Sequence, residues 1–96
     1  MKQIDKNSYC LAWQALFDCI ARGEKEQALG VFRLLSRSVQ NDALVHHLKG
    51  DLYVAFGDVA LAIAQYEIAV RLYRQLGQTS QALALSEGII EYTHRM

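Results

Sequence analysis

The sequence predicts an all-α protein of about five helices that form antiparallel helical hairpins. Three observations support this prediction: apolar residues recur with the period of an α-helix, no proline interrupts them, and turn residues separate them at intervals. The clearest stretch is Leu48–Ala69, where Phe56-Gly57-Asp58 joins two apolar helical patterns. Its small residues allow two helices to approach closely, and its tyrosines fill the space beside them.

Length and charge limit the classes of protein to be considered. The chain has 96 residues and an apolar fraction of 52%, which fits one domain, residues 1–96, with an adequate core. Ten basic residues balance ten acidic residues, so the net charge is zero with histidine neutral. Nucleic-acid binders usually carry a basic excess, because neutralising phosphates supplies much of their affinity. We therefore expect no nucleic-acid partner.

The sequence also predicts a soluble, cytoplasmic protein that does not insert into a membrane. No apolar run approaches the roughly 20 residues of a membrane-spanning helix, and the first ten residues lack the apolar core of a signal peptide. Cys10 and Cys19 are predicted on opposite sides of one helix, separated by a rise of about 13 Å. They cannot pair while that helix is intact, so both are expected as reduced thiols.

The first two predicted helices form one hairpin. Asn7 or Ser8 can cap a helix that runs to about Ala21, and Gly23 suits the left-handed turn that ends it. A second helix is predicted from about Lys25 to Val39.

Three more helices follow, with predicted bounds of about Ala43–Phe56, Val59–Leu76 and 79–95. Asn41 or Asp42 is the expected N-cap of the third helix. Asp58 is expected to cap the fourth helix, and Thr79 or Ser80 the fifth. No linker or low-complexity segment separates these elements.

Two of the predicted turns repeat at a fixed interval. Gly57-Asp58 follows Gly23-Glu24 at an interval of 34 residues. At the same offset Ala28 matches Ala62, Leu29 matches Ile63, and Phe32 matches Tyr66. A 34-residue helix-turn-helix period with these residue types resembles the tetratricopeptide repeat (TPR) family. The resemblance implies two units, about 9–42 and 43–76, and a C-terminal capping helix at about 79–95.

The chain departs from the family's pattern in two ways. Leu16 and Cys19 stand where a small residue and an aromatic residue are usual, and neither unit ends in the customary proline. A one-residue slip in the first helix would bury Trp13, Leu16 and Ile20, so the direction of Trp13 stays open. Stacked arrays commonly need about three repeats for independent stability, so a partner or homodimerisation is an expected way to complete the fold.

The sequence predicts no enzyme, cofactor or metal site. It contains no glycine-rich phosphate loop, no nucleophile elbow and no zinc-protease motif. His47 and Asp51 are spaced to pair on one helix face. Glu87, Glu91 and His94 share another face, which would ligate a metal only if a second such helix faced it. Both groups are interpreted as solvated helix faces.

In proteins that the chain resembles, the first helix of each unit lines a concave groove that holds a peptide or helix. Carried onto this sequence, the groove residues would be Cys10, Trp13, Phe17 and Ile20 from the first unit, Leu44, His47, Asp51 and Val54 from the second, and Gln81, Leu85 and Ile89 from the last helix. This set contains none of the lysines and arginines with which some TPR domains clamp a carboxylate. A mostly apolar groove suits an amphipathic helix.

The expected function is therefore protein–protein interaction, as a small TPR adaptor or chaperone that holds an amphipathic helix of a partner. In size and fold the chain looks like the TPR-type chaperones of type III secretion needle subunits, which keep an aggregation-prone helical subunit monomeric. The alternative is a structural subunit or homo-oligomer whose groove is its assembly interface. Trp13 and Phe17 would then pack in a dimer interface or under the N-terminal segment.

Overall fold

A computed structural model describes the backbone of residues 6–95 and the side chains of residues 12–94. This part of the chain forms five α-helices: α1 (Lys6–Ala21), α2 (Lys25–Ser36), α3 (Asp42–Ala55), α4 (Val59–Gln75) and α5 (Thr79–Arg95). The predicted all-α fold is confirmed, and the described residues contain no strand. None of the helices in that range is both long enough and apolar enough to cross a bilayer.

The helices belong to two compact units that divide between Gln40 and Asn41. In the first unit α1 packs against α2, and in the second unit α4 packs against both α3 and α5. Turns of three residues, 22–24, 56–58 and 76–78, connect these packed pairs. Each pair is therefore a helical hairpin.

The three hairpin turns share one geometry, centred on a glycine. Gly23, Gly57 and Gly77 have φ angles of 72°, 79° and 76°, a left-handed conformation that glycine adopts without steric penalty. In the middle turn, Gly57 N–H donates to Val54 O at 3.0 Å, and the next N–H donates to Tyr53 O at 2.9 Å. This pair of bonds, the Schellman motif, satisfies carbonyls that the helix end leaves open.

A buried alanine follows each turn glycine by five residues. These are Ala28, Ala62 and Ala82. The N–H of each alanine donates to the carbonyl four residues earlier, at 3.0 to 3.1 Å, so each lies in the first turn of its helix. The structure thus gives the same geometry to the two turns matched in the sequence and also to the turn at Gly77, which was predicted as the end of the fourth helix but not matched to the other two.

The helix caps agree only partly with prediction. Asn41 caps α3 as expected, because its Oδ1 accepts a hydrogen bond from Leu44 N–H at 3.2 Å. Asp58 stands at the N-cap position of α4, but its side chain makes no capping hydrogen bond. Because α5 begins at Thr79 itself, the predicted cap at Thr79 or Ser80 was placed too far along the chain.

Helix α2 ends at Ser36, three residues before the predicted end at Val39. The N–H groups of residues 37–39 each donate to a carbonyl three residues earlier, so the chain continues in tighter turns. Ser36 Oγ also donates to Arg33 O at 2.8 Å. Such local side-chain bonds compete with helix continuation.

The buried positions of α1 fix its register. Leu16 and Cys19 are buried, whereas Trp13 and Ile20 are only half-buried. The helix therefore keeps the register of the 34-residue match, and the alternative slip that buries Trp13 and Ile20 is not adopted. Helix α2 contributes the buried residues Ala28, Phe32 and Leu35. Cys19 is a free, buried thiol, and the side chain of Cys10 lies outside the described residues.

The core of the second unit forms where Tyr66 of α4 packs against Gly50 of α3. Its buried residues are Ala43, Ala62, Tyr66, Ala69, Val70, Tyr73, Ala82 and Leu85. A Cβ atom added at Gly50 would lie 2.4 Å from Cε1 and 2.6 Å from Cδ1 of Tyr66. Only glycine at position 50 therefore leaves room for this ring between the two helices.

We expect Gly50→Ala to lower the free energy of unfolding by about 1–3 kcal/mol, because the added methyl group overpacks the contact with Tyr66. Gly88→Ala is the matched control. Gly88 lies inside α5 with no atom within 4 Å of an added Cβ. Its replacement should stabilise the same unit by about 0.5–1 kcal/mol, through helix propensity alone. Urea unfolding followed by circular dichroism measures both changes, and equal effects of the two substitutions would contradict the close contact.

Candidate functional site

The first unit presents an aromatic pair on α1. Trp13 and Phe17 are one helical turn apart, and their ring centroids lie 6.1 Å from each other at an interplanar angle of 32°. Phe17 leaves 61% of its surface exposed, and Trp13 is half-buried. Aromatic side chains supply large apolar contact area at low conformational cost, and they are enriched in protein interfaces.

In the second unit, polar groups on α3 bond to tyrosines of α4. The Tyr66 hydroxyl donates to Asp51 Oδ1 at 2.5 Å, and Nδ1 of His47 is hydrogen-bonded to the Tyr73 hydroxyl at 3.0 Å. His47 Nε2 lies 4.0 Å from the other Asp51 oxygen, Oδ2. Tyr92 of α5 stacks on Tyr66 with centroids 6.2 Å apart. This group, the α3 polar cluster, is defined as His47, Asp51, Tyr66 and Tyr73.

The aromatic rings hold the imidazole of this cluster in place. The His47 ring meets the rings of Tyr66 and Tyr73 edge-on, with centroids 5.8 and 5.9 Å away and interplanar angles of 84° and 88°. The neighbouring His46 takes a different direction, because its Nδ1 donates to Gln65 Oε1 at 2.7 Å. The two adjacent histidines therefore lie on separate faces of α3, as the 100° offset between neighbouring residues of a helix requires.

Burial and the nearby carboxylate keep both tyrosines of the cluster protonated. Burial raises the pKa of Tyr66 far above its usual value, and the hydrogen bond to Asp51 and the charge of that carboxylate raise it further. Burial also raises the pKa of Tyr73, with a further contribution from the charge of Asp51. The hydroxyl of Tyr66 is therefore a dependable hydrogen-bond donor to Asp51.

The other predicted groove residues occupy different environments. Leu44 and Gln81 are exposed, whereas Val54 and Ile89 are partly buried and pack against the core. Leu85 is itself a core residue with 8% of its surface exposed. It faces inward because α5 packs against α4 through the stripe that starts at Ala82, so Leu85 does not belong to an exposed face.

A shallow open cleft between α4 and α5 was not predicted from the sequence. Its lining residues are Glu67, Val70, Arg71, Arg74, Ser86, Ile89 and Ile90. The cleft combines an apolar floor with two arginines, but no hydrogen-bonded polar cluster is built into it. The spacing of exposed residues on two helices cannot reveal such a cleft, because it depends on how closely those helices pack.

The tyrosines of the α3 polar cluster were predicted as packing residues only. Their rings do pack in the core, but their hydroxyls reach polar partners at its edge. A signal was present in the sequence, because a buried tyrosine usually needs a hydrogen-bond partner for its hydroxyl. His47 and Asp51 were correctly placed on one face, and the structure brings them together.

The described residues contain no group of three or more histidines, cysteines and acidic residues placed to hold a metal ion. Comparisons of the chain with models of protein families, with characterised proteins and with solved structures returned no match. The resemblance to the TPR family therefore stays a prediction that rests on the repeat residues themselves.

The raised pKa of Tyr66 predicts a loss of stability in alkaline solution. An unfolded tyrosine loses its proton near pH 10, whereas folded Tyr66 keeps it, so the unfolded state binds fewer protons there. The stabilising contribution is fully present below about pH 10 and is lost as the pH rises toward the higher folded pKa.

Urea unfolding between about pH 8 and pH 11 measures this effect. In Tyr66→Phe the decline of the unfolding free energy should be shallower than in the unmodified protein, by up to about 1.4 kcal/mol per pH unit. Identical slopes for the two proteins would show that Tyr66 titrates alike in both states.

Proposed function

We propose that the protein is a cytoplasmic protein–protein interaction module, a small TPR-type adaptor or chaperone that holds an amphipathic helix of a partner. The chaperones of type III secretion needle subunits, which it resembles in size and repeat pattern, are the class that this proposal favours. The aromatic pair on α1, in which Phe17 is exposed and Trp13 half-buried, is the observation that carries the proposal.

This pair has the composition and spacing of a binding anchor. Aromatic side chains dominate the small set of residues that supply most of the energy in protein interfaces. Phe17 exposes most of its ring although Leu16 and Cys19, on the same helix, are buried. The core of the first unit therefore does not require Phe17, and an apolar helix face of a partner would remove it from water.

The second unit presents a corresponding face on α3. Leu44, His47 and Asp51 are spaced at i, i+3 and i+7, so they share one side of the helix. An exposed leucine beside a fixed imidazole and a fixed carboxylate combines apolar contact with directional polar contact. Interfaces commonly pair an apolar centre with polar groups of this kind.

A photo-reactive amino acid placed at position 17 tests the proposal in the native host. Leu34 of α2 is the matched control, because it belongs to the same unit and leaves 54% of its surface exposed. We expect position 17 to crosslink to one partner protein through an amphipathic helical segment, and position 34 to give no such adduct.

Binding measurements with that segment complete the test. Phe17→Glu should weaken binding by at least about tenfold, since the loss of an aromatic hot-spot residue typically costs about 2 kcal/mol or more. Leu34→Glu should leave binding within about twofold, and circular dichroism should show both variants helical. Crosslinking at both positions alike would contradict the proposal. Adducts of position 17 solely with a second copy of the chain would establish a homo-oligomer instead.

A further inference from the structure

Asp51 is an exposed carboxylate that a buried side chain holds in one orientation. Its side chain leaves 55% of its surface open to solvent, whereas Tyr66, which donates to Oδ1, is only 2% exposed. Surface aspartates normally rotate freely, and fixing one side chain during binding costs entropy. Tyr66 has already restricted Asp51 in the folded chain, so a ligand of Asp51 would not pay this cost again.

The second oxygen of Asp51 is left for another donor. Nε2 of the His47 imidazole lies 4.0 Å from Oδ2, beyond hydrogen-bonding distance. Nδ1 of His47 is already bonded to Tyr73. The outer edge of the carboxylate therefore faces solvent with its charge uncompensated by an arginine or lysine within 4 Å in the described part of the chain.

The lysine and arginines of the second unit whose side chains the structure describes lie on other faces. Lys49 is two residues before Asp51 on α3, which places it about 200° around the helix. Arg71 and Arg74 line the cleft between α4 and α5. The α3 face thus carries one fixed negative charge, flanked along the helix by Leu44 and Val54.

We infer that Asp51 selects the partner helix by pairing with a lysine or arginine that adjoins its apolar stripe. This inference rests on the proposed function and deepens it, because it names the residue type that a bound helix must carry. A cationic side chain completes the bonding of Oδ2, and the apolar residues of the same helix cover Leu44. Charge-assisted hydrogen bonds to a fixed carboxylate are stronger and more directional than neutral ones.

The test uses a displayed library of 16-residue peptides with a fixed apolar stripe at i, i+3, i+4 and i+7 and random residues elsewhere. The library is selected separately on the unmodified protein, on Asp51→Asn and on Phe17→Glu. Asparagine is the appropriate replacement, because its Oδ1 can still accept from Tyr66 while the charge is lost. Circular dichroism verifies that each variant is folded.

On the unmodified protein, one position next to the stripe should become enriched in lysine and arginine. We expect about two- to fivefold enrichment per round, the range of a single partly exposed ion pair. On Asp51→Asn this enrichment should disappear while stripe peptides are still retained. Two results would overturn the inference and leave the proposed function standing. One is that the unmodified protein retains peptides with the apolar stripe but shows no enrichment in lysine or arginine. The other is that Asp51→Asn shows the same enrichment.

Failure of the proposed function has a different signature. If the unmodified protein retained stripe peptides no better than Phe17→Glu does, the helix-binding proposal would be wrong, and the selective role of Asp51 with it. Tyr66→Phe supplies a second measurement on the best basic peptide. It keeps the carboxylate and the ring but frees Asp51 to rotate, so affinity should fall less than in Asp51→Asn. No change in Tyr66→Phe would refute the positioning role of the tyrosine.

Discussion

The contact between Tyr66 and Gly50 is the constraint on which the second unit depends. The ring lies where the side chain of any other residue at position 50 would stand, because an added Cβ would be 2.4 Å from Cε1. Helices α3 and α4 can therefore pack closely with the ring between them, and fully buried alanines such as Ala62 contribute only small side chains to the same core. The hydrogen bond that orients Asp51 on α3 follows from this placement of a tyrosine in the core.

A tyrosine in that position has a hydroxyl that must be satisfied. Burying a hydroxyl without a partner costs about 1–3 kcal/mol in proteins, so a bond at the edge of the core is strongly favoured. The ring of Tyr66 carries its hydroxyl across to α3, where Asp51 accepts it, and Tyr73 meets His47 in the same way. Core packing thus determines the orientation of two surface side chains. The exposed carboxylate of Asp51 and the half-buried imidazole of His47 thereby acquire fixed positions.

Much of the architecture could be predicted from the sequence because it depends on local interactions. Apolar periodicity located all five helices, Gly57 located a turn, and side-chain chemistry limited the cap of α3 to Asn41 or Asp42, of which the structure shows Asn41. The predicted end of α2 was three residues too late, because short-range hydrogen bonds at residues 36–39 end the helix there and apolar periodicity does not specify them. The burial of Leu85 and the hydroxyl partners of Tyr66 were missed for another reason. They depend on how far two helices approach, which periodicity does not specify.

The 34-residue offset also explains why the two units present different surfaces. Trp13 corresponds to His47, since 47 − 13 = 34, and Phe17 corresponds to Asp51, since 51 − 17 = 34. In the first unit Phe32 takes the place of Tyr66. A phenylalanine has no hydroxyl to satisfy, so the helix facing it needs no carboxylate at position 17, and an aromatic residue can stand there. One substitution in the core therefore permits an apolar surface in one unit, whereas its counterpart requires a polar surface in the other.

Apolar area supplies most of the affinity in a typical interface, and fixed charge supplies much of the discrimination. Under the proposed function, the first unit would therefore supply apolar contact area and the second unit a fixed charge.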